Sequence, residues 1–205
     1  MMMFWQAGLV MLAVPKTGTQ AWQAALGEAA DMIIRHPPEA KHMRARRFER
    51  RLRPLLERTG PRRLETLAVI RDPVDWRASW YRYRARPALA GQPASTAGIG
   101  FAGFIEATLD EQPPAFARIG SQARFVSDDD GRLLVDHLFA YEDQEGLRRF
   151  LSARLARPVE APAPRNVSPA RELGLPAALE ARLRQAVAAE FALHARARAG
   201  TGTAG

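Results

Sequence analysis

Residues Gly8 to Trp22, GLVMLAVPKTGTQAW, restrict the fold more than any other stretch of the chain. An apolar run rich in Leu, Val and Met, stopped by Pro15 and then Gly18, reads as a buried strand feeding a tight turn, and the residues after it can begin a helix. Such a turn is built to meet an anion. Gly18 lets the backbone approach closely, successive N–H groups and the helix N-terminus supply partial positive charge, Lys16 adds a full charge, and Thr17 and Thr19 add hydroxyls. The usual phosphate loop, G-x-x-x-x-G-K-[ST], puts its Lys after the second Gly with a Mg²⁺-binding hydroxyl next to it. Here Lys16 precedes Gly18, so the pattern differs.

A second stretch, Leu64 to Arg84, LETLAVIRDPVDWRASWYRYR, is another apolar strand that runs through Arg71-Asp72-Pro73 into a helix. Pro73 suits the first helical turn and Asp72 can cap it, which leaves Arg71 at the C-terminal edge of the strand. Open parallel α/β sheets bind their ligands at that edge. Ser79 lies two turns further on, where its hydroxyl can reach the same ligand.

Pro-Lys-Thr-Gly-Thr after the first strand, with Arg-Asp-Pro and a Ser eight residues past that Arg, resembles the PAPS-dependent sulfotransferases, in particular their bacterial and carbohydrate-type members. The resemblance implies that Lys16, Thr17, Gly18, Thr19 and Gln20 hold the 5'-phosphosulfate of 3'-phosphoadenosine-5'-phosphosulfate (PAPS). It implies Arg71 and Ser79 for the 3'-phosphate. Gln20 departs from the pattern, which more often has Thr or Ser there. Arg165-Asn166-Val167-Ser168 is similar to a late Asn-x-Ser segment of the family, which implies Arg165 as a second 3'-phosphate contact.

The chain of 205 residues is 47% hydrophobic, enough for one sizeable core, so a single α/β domain over residues 1–199 with a disordered tail at 200–205 is expected. The absence of Cys excludes disulfides, thiolate metal sites and a cysteine nucleophile, and suits a reducing compartment. The apolar N-terminal segment is interrupted by Gln6 and lacks a basic flank, so it reads as core rather than as a membrane span or secretion signal, and a bacterial cytoplasmic location is expected. A net charge of +8, mostly from Arg, suits phosphate, sulfate or carboxylate partners. Aromatic content of 8% and the lack of a recognised nucleic-acid motif argue against nucleic acid.

Along the chain, residues 19–30 read as a helix with Trp22, Ala25, Leu26 and Ala29 on one face, and Asp31 to Arg35 as a short strand ended by Pro37-Pro38. Chemistry is expected just after it. His36 and His42 follow the strand's C-terminal edge, and a hydroxyl acceptor needs a base with a pKa near neutrality. His42 is favoured, then His36, then Glu39; Lys41-His42 also resembles a Lys-His pair of some bacterial family members. Lys41 to Thr59 reads as an amphipathic, Arg-rich helix with a kink near Pro54. Residues 85–100, rich in Ala, Gly, Pro, Ser and Thr, read as a mobile loop or a lid. Arg124-Phe-Val and Leu133 to Tyr141 read as strands around the turn Ser127-Asp-Asp-Asp-Gly131, whose acids lack the spacing of a calcium loop. Helices are expected over Phe101 to Leu109, after Asp143, and as one long element from Pro176 to Arg198 with Leu179, Leu183, Val187 and Phe191 on its apolar face.

The expected architecture is three-layer α/β, a central, mostly parallel sheet flanked by helices, with a P-loop-like nucleotide site at its C-terminal edge. The expected reaction is sulfuryl transfer from PAPS, without a metal, to a hydroxyl or amine acceptor such as a carbohydrate. Two other readings compete: a small-molecule kinase of the P-loop type, and a non-catalytic module that binds an anion or glycan.

Overall fold

A computed structural model describes residues 1–58, 63–162 and 173–200. Its sheet has five strands: β1 (Met2–Phe4), β2 (Leu9–Met11), β3 (Met32–Ile33), β4 (Glu65–Ile70) and β5 (His137–Ala140), in the order β3-β1-β2-β4-β5. The first apolar residues are indeed core, but as a strand of their own. A tight turn, closed by the Gly8 N–H on the Trp5 carbonyl (3.0 Å) with Gly8 at φ +60°, folds β1 back on β2, so that Met2 faces Met11 and Phe4 faces Leu9. So short a connection permits only antiparallel pairing. Because β3 also runs antiparallel to β1, while β2, β4 and β5 are mutually parallel, the sheet is mixed rather than mostly parallel.

The α-helices among the described residues are α1 (Thr19–Leu26), α2 (Pro38–Lys41), α3 (Ala45–Arg47), α4 (Arg53–Glu57), α5 (Pro73–Arg84), α6 (Phe101–Thr108), α7 (Gln122–Val126), α8 (Gln144–Arg154), α9 (Ala177–Ala186) and α10 (Ala188–Arg198). Alternate strand residues divide between two apolar clusters, as a pleated sheet buried on both faces requires. Phe4, Leu9, Met11, Leu67 and Val69 pack with Trp22 and Leu26 of α1 and Leu147 and Leu151 of α8. Val10, Leu12, Ala68, Ile70 and Leu138 pack with Ala45, Phe48, Phe125 and Ala197. Each such fully buried large side chain contributes about 1.5–3 kcal/mol. A third cluster joins Trp76 of α5 to Phe101 and Phe104 of α6 and Leu179 and Leu183 of α9.

Several expectations need correction. Residues 124–126 belong to α7, not to a strand: Ser121 accepts the Arg124 N–H as an N-cap, and only an isolated Ser127–Leu133 bridge pairs across the Asp-rich turn. Pro176 to Arg198 is two helices, broken at Val187 (φ −120°, ψ 34°), because α10 turns Glu190 and His194 inward rather than continuing the expected apolar stripe through Phe191. Ala25 is exposed although the helical face including it was expected to be apolar. The helix over Lys41 to Thr59 starts at Ala45 and is interrupted by a π-helical turn at Phe48–Leu52, directly before Pro54, whose missing N–H and bulky ring disrupt regular bonding to the preceding turn.

Residues 85–100 are stitched onto α5: the Thr96 hydroxyl donates to the Tyr81 carbonyl (2.9 Å), the Thr96 N–H to that of Arg84 (3.2 Å), and the Tyr81 hydroxyl to that of Ile99 (2.7 Å). Arg165 and the neighbouring Asn-Val-Ser lie outside the described residues, as do residues 201–205 of the expected tail. No helix among the described residues is long and apolar enough to cross a membrane.

Candidate functional site

The turn after β2 is the sharpest backbone feature near the sheet's C-terminal edge. Lys16 (φ +66°) and Gly18 (φ +74°) both take the left-handed conformation, on either side of Thr17, whose fully buried hydroxyl donates to the Val14 carbonyl (2.9 Å). Thr17 is therefore built into the turn, its hydroxyl hydrogen committed to the backbone. A left-handed Lys costs about 1–2 kcal/mol, a strain of the kind concentrated at functional sites. Gly18 then caps α1, its carbonyl accepting from Ala21 N (2.9 Å) and Trp22 N (3.2 Å). Among the described residues no side chain caps the helix from the N-cap position, and its first turn holds no acid to offset its positive end. A side chain at Gly18 would also be tight, because a Cβ there would lie 3.0 Å from the ring of Tyr141. Thr19 is half-buried and the exposed Gln20 follows it in the same turn.

Tyr141 connects this turn to the second motif. The Arg71 guanidinium lies 4.4 Å from the Tyr141 ring centroid, so one aromatic ring touches both Gly18 and Arg71. As expected, Asp72 caps α5, accepting from Val74 N (2.9 Å) and Asp75 N (3.0 Å), with Pro73 as the first helical residue. The Trp76 indole N–H donates to the Pro15 carbonyl (2.8 Å), tying α5 to the residue before Lys16.

Lys16 extends over α5, with Nζ 4.4 Å from the Tyr83 ring centroid and 5.9 Å from that of Trp80. Its burial, together with repulsion from Arg86, Arg71 and Arg82, lowers its pKa to about 8. Four cations thus crowd one place. The acid among them is Asp75, 2.6 Å from Arg71 Nε and 3.8 Å from Arg82. Ser79 lies between Asp75 and Arg82 at helical spacing, so it shares their face of α5. The buried Trp80 indole N–H in this cluster finds no acceptor among the described residues. An anion with several oxygens suits all of these groups.

Behind Arg71 lies a polar layer that the sequence did not announce. The Gln122 amide grips the Arg71 backbone from both sides, accepting its N–H (2.9 Å) and donating to its carbonyl (2.8 Å). Glu142 accepts the Asp72 N–H (3.1 Å) and pairs with His194 (2.8 Å). Burial would raise the Glu142 pKa, but the bonds from His194 and Asp72 prevail and hold it below the ordinary carboxylate range. Glu190, 3% exposed, accepts the Gln122 N–H (3.0 Å) and pairs with the equally buried Arg77 (3.0 Å). Helix α10 therefore props the Arg71-Asp72 peptide through two chains of contacts.

Of the two candidate bases, His42 is held against the strand that leads to Lys16. Its Nδ1 lies 2.7 Å from the Ala13 carbonyl, which can only accept, so Nδ1 carries the hydrogen and Nε2 is the basic nitrogen of the neutral ring. Burial, reinforced by Lys41 and only partly opposed by the bond to Ala13, lowers its pKa. Lys41 and Thr19 line one small pocket with Ala13, which brings the His42 segment to the start of α1. His36 is exposed and makes no hydrogen bond among the described residues. Glu39, also exposed, joins His42 along an open, Arg-rich groove.

No family model, curated protein or solved structure matches the chain. The residues that sequence reasoning missed are Tyr141, Arg82, Arg86 and the Gln122–Glu142–Glu190–His194 layer. A signal existed for the first three: Tyr141 directly follows an apolar strand, and Arg82 and Arg86 continue the Asp75–Ser79 face of α5.

Proposed function

We propose that the chain is a PAPS-dependent sulfotransferase that moves a sulfuryl group onto a hydroxyl or amine acceptor, with a three-layer α/β organisation and a P-loop-like turn at residues 15–19. One observation carries this reading: Arg71, from the second motif, lies close enough to Lys16, from the first, to help lower its pKa, in a cluster with Arg82 and with Arg86, which shares the Tyr83 ring with Lys16. Because β2 and β4 are parallel neighbours, the loops after them meet at one edge of the sheet; what favours a polyanion there is that both loops bring cations to that edge, joined by Arg82 and Arg86, with Asp75 as the acid beside them.

The donor would supply the sulfuryl group and a phosphate leaving group. Lys16, the turn's N–H groups and the positive end of α1 would hold its 5' end and neutralise charge that builds there in the transition state. Arg71 and Ser79 would hold the 3'-phosphate, with Arg165 added on the family resemblance alone. Tyr141 keeps the Arg71 guanidinium in place by stacking. His42 Nε2 would take the acceptor's proton as the acceptor oxygen or nitrogen attacks sulfur, its hydrogen bond to Ala13 keeping the ring oriented. His36, exposed and without a hydrogen bond among the described residues, offers no such orientation. Fixed cations fill the role that Mg²⁺ has in kinases.

Thermal unfolding with 3'-phosphoadenosine-5'-phosphate (PAP), without Mg²⁺, tests the reading. At a hundredfold excess over Kd the nucleotide should stabilise the chain by about 2.7 kcal/mol and raise Tm by roughly 5–10 °C. Lys16→Ala should remove the shift while the protein stays folded, and labelled sulfate should leave PAPS for an acceptor only with Lys16 present. Stabilisation by Mg-ATP alone would instead identify a kinase-type site, and PAP binding with no transfer to any acceptor would identify a binding module.

A further inference from the structure

The groove beside His42 carries charge that the rest of the fold leaves uncompensated. It encloses about 690 Å³ and is lined by Arg44, Arg46, Arg47, Arg50 and Arg51 together with His42. That volume falls within the roughly 300–1,000 Å³ of typical ligand sites. Glu39 is the acid in its lining, against five arginines.

The charge separation has a structural origin. Phe48, Leu52 and Leu56 turn one side of the segment from Ala45 to Glu57 toward the core. Its two acids, Glu49 and Glu57, are both drawn to Arg53, at 2.7 and 3.0 Å, and Asp136 adds a third carboxylate 3.6 Å from the same guanidinium. Arg46 pairs with Asp129 across the Asp-rich turn. Arg44, Arg47, Arg50 and Arg51 are exposed and form no ion pair among the described residues. The helix thus gives its acids to one partly buried Arg and leaves four others facing the groove without a counter-charge among the described residues, and like charges held this close favour an anionic occupant.

We propose that this groove is the acceptor site and that it takes an acidic oligosaccharide, a chain of sugars bearing carboxylate or sulfate groups, whose hydroxyl is presented to His42. The inference rests on the sulfuryl-transfer reading for the hydroxyl's fate, but not for the binding. Planar guanidinium forks match carboxylate and sulfate groups bidentately, and several spaced along a groove select a ligand with repeated anionic groups. Single-stranded nucleic acid also has repeated charge, yet it is held by aromatic platforms on which bases stack. The groove's lining has no Phe, Tyr or Trp, its one aromatic ring being His42 and its apolar side chain Met43.

Fluorescence anisotropy of the full chain with labelled hexagalacturonate, at 50 and 200 mM NaCl, tests the assignment, with maltohexaose as the neutral control and a ten-residue oligothymidylate as competitor. The acidic hexasaccharide should bind, weaken at least fivefold at the higher salt, and outcompete maltohexaose. The triple variant R47Q/R50Q/R51Q should weaken binding at least tenfold while keeping its unliganded Tm and its PAP-induced Tm shift. The single variant Arg44→Gln should lose two- to fivefold and serves as the check should the triple variant unfold. Equal binding by wild type and both variants would overturn the proposal, as would displacement of the hexasaccharide by oligothymidylate at lower concentration than by unlabelled hexagalacturonate. Hexasaccharide binding through these arginines without any PAP shift would sustain the groove and refute the sulfotransferase reading; a PAP shift without hexasaccharide binding would do the reverse.

Discussion

Raising the pH from 7 to 9 should weaken PAP binding about tenfold through Lys16 alone. With a pKa of about 8 in the unliganded protein, Lys16 is about nine-tenths charged at pH 7 and about one-tenth charged at pH 9. A phosphate beside it favours the ammonium and raises its pKa, so above pH 8 the ligand must bring a proton with it, and affinity falls with each further pH unit. The ligand's own phosphates are already fully ionised through most of this range, because their second pKa is near 6. Stability of the unliganded chain should move the other way. The Lys16 pKa lies below its ordinary value of 10.5, so the unfolded chain binds more protons between about 8 and 10.5, and this residue's contribution to stability rises across that window. Tm measured with and without PAP at half-unit steps from pH 7 to 9.5 separates the two trends. Arg in place of Lys16 keeps a charge that does not titrate, so Lys16→Arg should flatten whatever binding it retains. A PAP affinity that stays constant to pH 9 in the wild type would refute the placement of Lys16 among Arg71, Arg82 and Arg86 as an anion ligand.

Three further outcomes are expected. Burial lowers the His42 pKa, so the basic ring persists to lower pH than an ordinary imidazole allows, and the acid limb of the pH–rate profile should lie below that of an unperturbed His; His42→Gln should remove that limb and reduce turnover about 10²–10⁴-fold with the PAP shift intact. Glu190→Gln should cost about 3–5 kcal/mol in urea unfolding, because it strands the buried Arg77 guanidinium, and an unchanged urea midpoint would contradict the buried pair. Gly18→Ala should lower stability by about 1–2 kcal/mol from its left-handed φ and reduce the PAP shift by displacing the Tyr141 ring that packs on Arg71, both readable in one melting series.

What could be read from the sequence was whatever local chemistry decides. Arg71-Asp72-Pro73 is strand end, cap and first helical turn in three residues, and it folds as its side chains demand. The turn that carries Lys16 and Gly18 between a strand and a helix was legible for the same reason. The failures have long-range causes. Arg124-Phe-Val is too short to distinguish strand from helix by periodicity, and the cap at Ser121 settles it. Helix α10 breaks from α9 because Glu190 and His194 find partners 113 and 52 residues away, in Arg77 and Glu142. The expected stripe through Leu179, Leu183, Val187 and Phe191 treats polar residues as outward-facing, which these two are not. Likewise Gln122 carries no mark in the sequence of its hold on Arg71, because an amide becomes informative only when a peptide lies across it.

The double grip of Gln122 on Arg71 also orders events during synthesis. Arg71 leaves the ribosome early, but the amide that fixes its backbone is itself anchored by Glu190, and the neighbouring peptide by His194. A nascent chain halted before residue 188 would have both motifs already made and still lack the brace that sets them, so competence to hold a nucleotide should arrive abruptly, with the emergence of α10.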